Sequence, residues 1–193
     1  MHKYSISVIL FCSFLLQIKA QDTLKQVSRL IYQRIDASYV FGGQIYNNNF
    51  IYNPGFSFQA SYGILLNESV GIGAGVGYYK LQDEHFMPVF VEAVGCRKNK
   101  ASSPMVKMQL GYSPGWYSGN MQVAGYQFKG GIYIDAGLGR KIPVNKAYSF
   151  YFHWSYRHQF ARMEYEVFGG QHYTESLNYD MVVITLGIIR HSQ

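Results

Sequence analysis

Between Tyr148 and Phe160 the chain alternates two chemistries with a period of two. The even positions are Tyr148, Phe150, Phe152, Trp154, Tyr156, His158 and Phe160; the odd ones are Ser149, Tyr151, His153, Ser155, Arg157 and Gln159. Successive side chains of a β-strand point to opposite faces, so this stretch folded as a strand is aromatic on one side and polar on the other. A strand of a soluble sandwich alternates too, but six aromatics on one face of one strand mark a face that meets hydrocarbon. Composition agrees. Charged residues are 15% of the chain and aromatics 17%, where a soluble domain carries about 25% charged residues. After residue 20 no apolar run approaches the roughly 20 residues that a membrane helix needs.

Seven further segments carry the same alternation: 34–46, 55–66, 69–81, 86–97, 104–113, 130–141 and 178–190. With 148–160 they make eight strands of 10 to 13 residues, against about 9–11 for a tilted strand crossing a bilayer. The connections between them run 8, 2, 4, 6, 16, 6 and 17 residues in order, so long and short ones alternate. Membrane barrels place short turns on the periplasmic side and longer loops outside. The expected fold is therefore all-β: an eight-stranded antiparallel up-and-down transmembrane barrel spanning 34–193.

Two segments precede it. Residues 1–20 hold Lys3, an apolar stretch from Ile6 to Leu16 and Ala20 before Gln21. That stretch is too short to span and fits a signal peptide cleaved near Ala20, which sends the mature chain to the outer membrane. In 21–33, Leu24, Val27, Leu30 and Ile31 recur at three and four, predicting a short amphipathic helix. Cys12 lies in the leader, so the mature chain keeps Cys96 alone and forms no internal disulfide. Without Lys3 and Lys19 the 17 basic residues fall to 15 against 11 acidic ones, a net +4. The basic residues form no dense stripe, so a nucleic-acid partner is not expected.

The inward parity gathers Asp36, Glu92, Lys107, Asp135, His153 and Arg157. An eight-stranded barrel is just wide enough inside to be filled by side chains, so these groups are expected to pair as a polar plug rather than line an ion path. Gly71, Gly73, Gly75 and Gly77 share that inward face and leave room for bulky neighbours such as Tyr79, Phe90, Tyr133 or Tyr151. His85 and His172 have no ligand spacing, and no cofactor motif is present.

The run Gly131 to Pro143, the aromatic strand after it and the closing Val182 to Arg190 resemble the small outer-membrane β-barrels common in the Bacteroidetes, of the OmpA/OmpX transmembrane-barrel type. The resemblance implies a fold and a location, and no activity. The chain departs from that pattern at its end: Ile188, Ile189 and Arg190 stand where such barrels usually end on an aromatic.

His153 and Ser155 resemble the His-x-Ser pair of outer-membrane lipid A deacylases, which are also eight-stranded barrels. Residues two apart on a strand share a face, as a nucleophile and its base must. Against that reading, Tyr156 replaces the expected Asn, no Glu is placed to orient the histidine, and the parity turns both residues away from the lipid. A non-enzymatic barrel is expected, with the deacylase and a small pore or accessory subunit of an envelope complex as alternatives.

The segments 114–129 and 161–177 read as long external loops bearing Trp116, Tyr117, Tyr126, Phe128, Tyr165, Phe168 and Tyr173. Aromatics at this density suit a binding surface, or fold over the barrel mouth as a lid. Expected partners are outer-membrane lipid and lipopolysaccharide, with a protein partner at these loops or at the basic rim of Arg97, Lys98, Lys100, Arg140, Lys141 and Lys146.

Overall fold

The computed structural model describes residues 31–46, 49–67, 69–97, 102–120, 125–145, 147–167 and 170–192. The expected leader therefore lies outside the described residues, as does residue 21–30 of the expected helix. Residues 31–33 of that helix are strand. Tyr32 explains why: it is inward and buried, and continues the alternation of Arg34 and Asp36 one step earlier.

The described residues form eleven strands: β1 (Ile31–Tyr46), β2 (Asn49–Tyr52), β3 (Gly55–Leu65), β4 (Val70–Leu81), β5 (Glu84–Phe86), β6 (Val89–Cys96), β7 (Ser103–Ser113), β8 (Gly115–Tyr117), β9 (Gln127–Pro143), β10 (Tyr148–Val167) and β11 (Gln171–Ser192). Eight are staves, each antiparallel to its neighbours in the order β1, β3, β4, β6, β7, β9, β10, β11. The first and last staves close the ring, from Ile31 opposite Ser192 to Gln44 opposite Tyr179. The short strands β2, β5 and β8 decorate one end, where β5 joins β4 to β8.

The wall is inverted relative to a soluble protein. Ile35, Phe58, Val91, Met108, Leu138, Trp154 and Leu186 are among the many large apolar side chains exposed on the outside. Inside, the same strands bury Arg34, Lys107, Arg157, Gln109 and His153. This is the alternation of the sequence carried into three dimensions: apolar toward lipid, polar toward the bore.

The two ends differ. At one, short stretches of sequence separate the staves, from Leu65 to Val70, Cys96 to Ser103 and Pro143 to Tyr148; the other is built up well beyond the ring. The largest departure from the sequence-based boundaries is here. Residues 161–167 and 171–177 are strand and not loop: β10 and β11 stay paired to Val167 opposite Gln171, with Gly170 at φ +74° just before β11. The lipid-facing signature stops at Phe160 because the strands leave hydrocarbon there, and the outward positions become Arg162, Glu164, Ser176 and Asn178. Strand pairing needs no lipid and continues.

A bulge marks the same level. Between Gln159–Tyr133 and Ala161–Gly130, β9 spends one more residue than β10, which reverses the facing of everything before it in β9. Phe128, expected as a loop aromatic, is thereby turned inward and buried.

Candidate functional site

The bore is filled by a chain of polar contacts between two apolar layers. At the short-turn end Tyr32, Val94, Met105, Tyr151 and Ile189 pack together. Glycine makes that layer fit: a Cβ on Gly63 would stand 2.5 Å from the Tyr32 ring, one on Gly73 2.6 Å from its hydroxyl, and one on Gly187 2.5 Å from the Tyr151 ring. The expected row of inward glycines is present, and it accommodates Tyr32 and Phe90 in particular. Beneath Arg34 remains a cavity of about 30 Å³ lined by Cys96 and Lys141 among others, room for about one water. Lys141 Nζ donates to Cys96 Sγ at 3.3 Å.

Above this layer, Arg34 from β1 forks between two carboxylates. It pairs with Asp36 on its own strand and, through Nη2, with Glu92 Oε2 of β6 at 2.5 Å. It also donates to Ser61 Oγ at 3.1 Å and Tyr151 OH at 2.9 Å. Glu92 accepts from Tyr32 OH at 3.0 Å, Ser61 Oγ at 2.7 Å and Gln109 Nε2 at 3.1 Å. Tyr151 OH donates to Asp36 at 2.5 Å.

A triangle of Gln59, Gln109 and Tyr133 links this knot to a second one, with Gln59 Nε2 donating to Tyr133 OH at 2.8 Å and Tyr133 OH to Gln109 at 2.9 Å. There Asp135 lies between Arg157, whose Nε donates at 3.0 Å, and Lys107, 3.8 Å away. The Arg157 guanidinium is also sandwiched by Tyr79 and Tyr133, 5.2 and 5.3 Å from their ring centres. Such cation–π contacts strengthen where water is excluded.

All six inward residues expected from the sequence are thus buried in the bore, and five join these two knots. Arg34, the hub of the first, shares the parity of Asp36 but stands at the first position of the strand expected from the sequence, where alternation has no earlier residue to fix a facing. With Arg34 the lumen holds three permanent cations against three carboxylates among the described residues. His153 and Ser155 also face inward, 0% and 5% exposed. Neither imidazole nitrogen of His153 nor Ser155 Oγ has a hydrogen-bonding side-chain partner. No nucleophile–base contact exists there.

The long end is capped. Phe86 of β5 is fully buried, stacked on Tyr79 at 4.7 Å and edge-on to Phe128 and Tyr179 at 5.4 and 5.6 Å. Tyr117 and Tyr126 pack against this cluster as its upper layer. Glu84 beside Phe86 accepts from Tyr179 OH at 2.8 Å and Asn53 Nδ2 at 3.2 Å, and burial pushes its carboxyl up to about 7. His85 stacks on Trp116 and bridges Tyr78 OH to Ser118 Oγ at 2.6 and 2.8 Å. Of the loop aromatics, then, Tyr117, Tyr126 and Phe128 close the mouth. Trp116 and Tyr173 remain exposed, with Tyr173 stacked on Tyr165 across the β10–β11 ribbon. Phe168 lies outside the described residues.

One polar cluster faces outward instead. Asp180 of β11 accepts from His158 Nδ1 of β10 at 2.7 Å and from Tyr156 OH, while Phe160 lies edge-on to the imidazole at 4.3 Å. The signal was a carboxylate on the lipid-facing parity of the last strand, directly opposite a histidine of the same facing.

No family model matches this sequence, and no curated protein does. Solved structures are similar in fold. Neisserial surface protein A superimposes with a TM-score of 0.59 at 13% identity, covering 83% of this chain and 96% of that one. The outer membrane protein OprG from Pseudomonas aeruginosa gives 0.58 at 9%, covering 86% and 96%. The outer membrane protein AlkL, solved in lipid bilayers, gives 0.57 at 10%, covering 91% and 97%. The closed eight-stranded ring of this chain has the fold of these small outer-membrane barrels.

Proposed function

We propose that this chain is a non-conducting barrel of the outer membrane, with its short turns in the periplasm, which acts in envelope structure or surface interaction through its built-up outer end and is not an enzyme. The observation that carries the reading is the filled bore. Three cations and three carboxylates are locked across it, and an aromatic cap of Phe86, Phe128 and Tyr179 seals the mouth. Moving an ion through would require breaking buried pairs, at several kcal/mol each. The outer end supplies surface instead: Trp116, and the stacked Tyr165 and Tyr173 on a ribbon that rises above the ring. The inward facing of His153 and Ser155 removes the support for a lipid-modifying hydrolase at that pair.

The test has two arms. The reconstituted monomer should give no steady single-channel current in planar bilayers; porin-sized currents would reject the sealed bore. In a Cys96→Ser background, Gln171→Cys should react with an impermeant maleimide on intact cells and Asn145→Cys should not. The reverse pattern would reject the orientation.

A further inference from the structure

The outward face of β9, β10 and β11 changes character abruptly above Phe160. Below that level it presents Trp154, Tyr156, Ile134, Val182 and Leu186. Two positions above Phe160, Arg162 is exposed and stands opposite Lys129 of β9 on one side and Ser176 of β11 on the other. The bulge in β9 is what brings Lys129 onto this face. Adjacent strands lie about 4.8 Å apart, so the two cations and the hydroxyl are within reach of a single small anion.

Like charges directly opposite on neighbouring strands destabilise a sheet, and strand pairing gives no reason for Lys129 and Arg162 to meet. Glu164 offsets part of the repulsion, accepting from Lys129 Nζ at 2.6 Å, yet the trio keeps a net positive charge. The second feature is the His158–Asp180–Tyr156 cluster, four residues below Arg162 on β10, or about 13 Å at 3.3 Å per residue. Ionisable groups on a lipid-facing surface are costly unless they serve a ligand or a partner. Cations at the top, hydrogen-bonding groups beneath them and an apolar wall below follow the polarity of an amphiphile standing in the outer leaflet.

We infer that this face binds a phosphorylated glycolipid of the outer leaflet, its phosphate held by Lys129 and Arg162, its hydroxyl or amide groups by His158 and Asp180, and its acyl chains along Trp154 and Val182. The inference rests on the outer-membrane orientation proposed above. It differs from that reading in placing the ligand on the wall of the barrel and not on its cap.

The test uses the full mature protein released in mild detergent, with diphosphoryl lipid A as the probe and native mass spectrometry as the readout. The wild type should retain lipid A, and retention should fall at least about tenfold in Lys129→Gln/Arg162→Gln, since each cation supplies a charge-assisted contact. Asp180→Asn should weaken retention to a smaller degree. The heat-dependent gel mobility that reports the folded barrel should be unchanged in the double variant, because both side chains are exposed. Inorganic phosphate should not displace the lipid at equal concentration, and phosphatidylethanolamine should not replace it. Equal retention by wild type and double variant, displacement by phosphate alone, or equal retention of phosphatidylethanolamine would each overturn the inference. Failure of the orientation would show separately, in the maleimide labelling at Gln171→Cys.

Discussion

Replacing Arg34 by methionine tests the packed bore most directly. The substitution keeps a side chain of similar reach and removes the charge from a group 1% exposed. Asp36 and Glu92, 3% and 4% exposed, then lose the cation they share. Breaking a buried pair from one side costs about 3–5 kcal/mol, because the remaining charge stays buried without compensation. Glu92 keeps neutral donors from Tyr32, Ser61 and Gln109, and Asp36 keeps Tyr151, which argues against a cost of that size for each carboxylate. The expected loss is therefore about 4 kcal/mol in all. That is a large share of the roughly 5–15 kcal/mol that holds a domain folded. Urea titration in lipid vesicles, followed by tryptophan fluorescence, measures it. Adding Asp36→Asn and Glu92→Gln to Arg34→Met should recover at least half the loss, since the carboxylates no longer need a cation. A loss under about 1 kcal/mol, the size of one ordinary hydrogen bond, or no recovery in the triple variant, would refute the ionic account of the bore.

Gly187→Ala should cost about 1–3 kcal/mol in the same assay, the usual range for overpacking, because its Cβ would meet the Tyr151 ring at 2.5 Å; Tyr151→Ala in that background should remove the clash as an added cost. Ser155→Ala should shift stability by less than about 1 kcal/mol, as Ser155 Oγ has no hydrogen-bond partner, and should leave the acyl pattern of lipid A unchanged by mass spectrometry. For Glu84 the folded value is raised from 4.5 to about 7, so between those values the folded cap binds more protons than the unfolded chain. Its contribution is full below pH 4.5 and is lost as pH climbs through about 7. Hydrogen-exchange protection of β5 and β8, corrected for intrinsic rates, should accordingly be higher at pH 5 than at pH 8, and Glu84→Gln should flatten the difference.

The ring was legible in the sequence because one physical rule, apolar out and polar in, acts on the part of every stave that crosses the hydrocarbon layer. It located Asp36, Glu92, Lys107, Asp135, His153 and Arg157 inside and turned Ser155 away from lipid. The rule fell silent where its cause ends. Above Phe160 there is no hydrocarbon to demand aromatics, so the upper halves of β10 and β11 read as loop although their pairing continues. A single bulge reverses parity without any mark in composition, which is why the inward facing of Phe128 and the outward facing of Lys129 were not legible. Partner choice inside the bore lay deeper still. That Arg34 takes Glu92 rather than Asp135 depends on stagger around the ring, and alternation along one strand carries no information about stagger.

The reach of Arg34 bears on how the barrel is made. Its partners lie on β3, β6 and β10, at sequence separations of 27, 58 and 117 residues, and it sits on the strand that closes the seam with β11. In an open sheet Arg34 keeps Asp36 on its own strand and Ser61 on the next, but Glu92 lies three staves away on β6 and Tyr151 lies beyond the seam on β10, so only the curved and closed ring brings these two to it. Glu92 gains its cation only when the ring has formed. A half-assembled sheet thus carries Glu92 without its guanidinium, while the closed one does not, which couples burial of that carboxylate to closure of the ring.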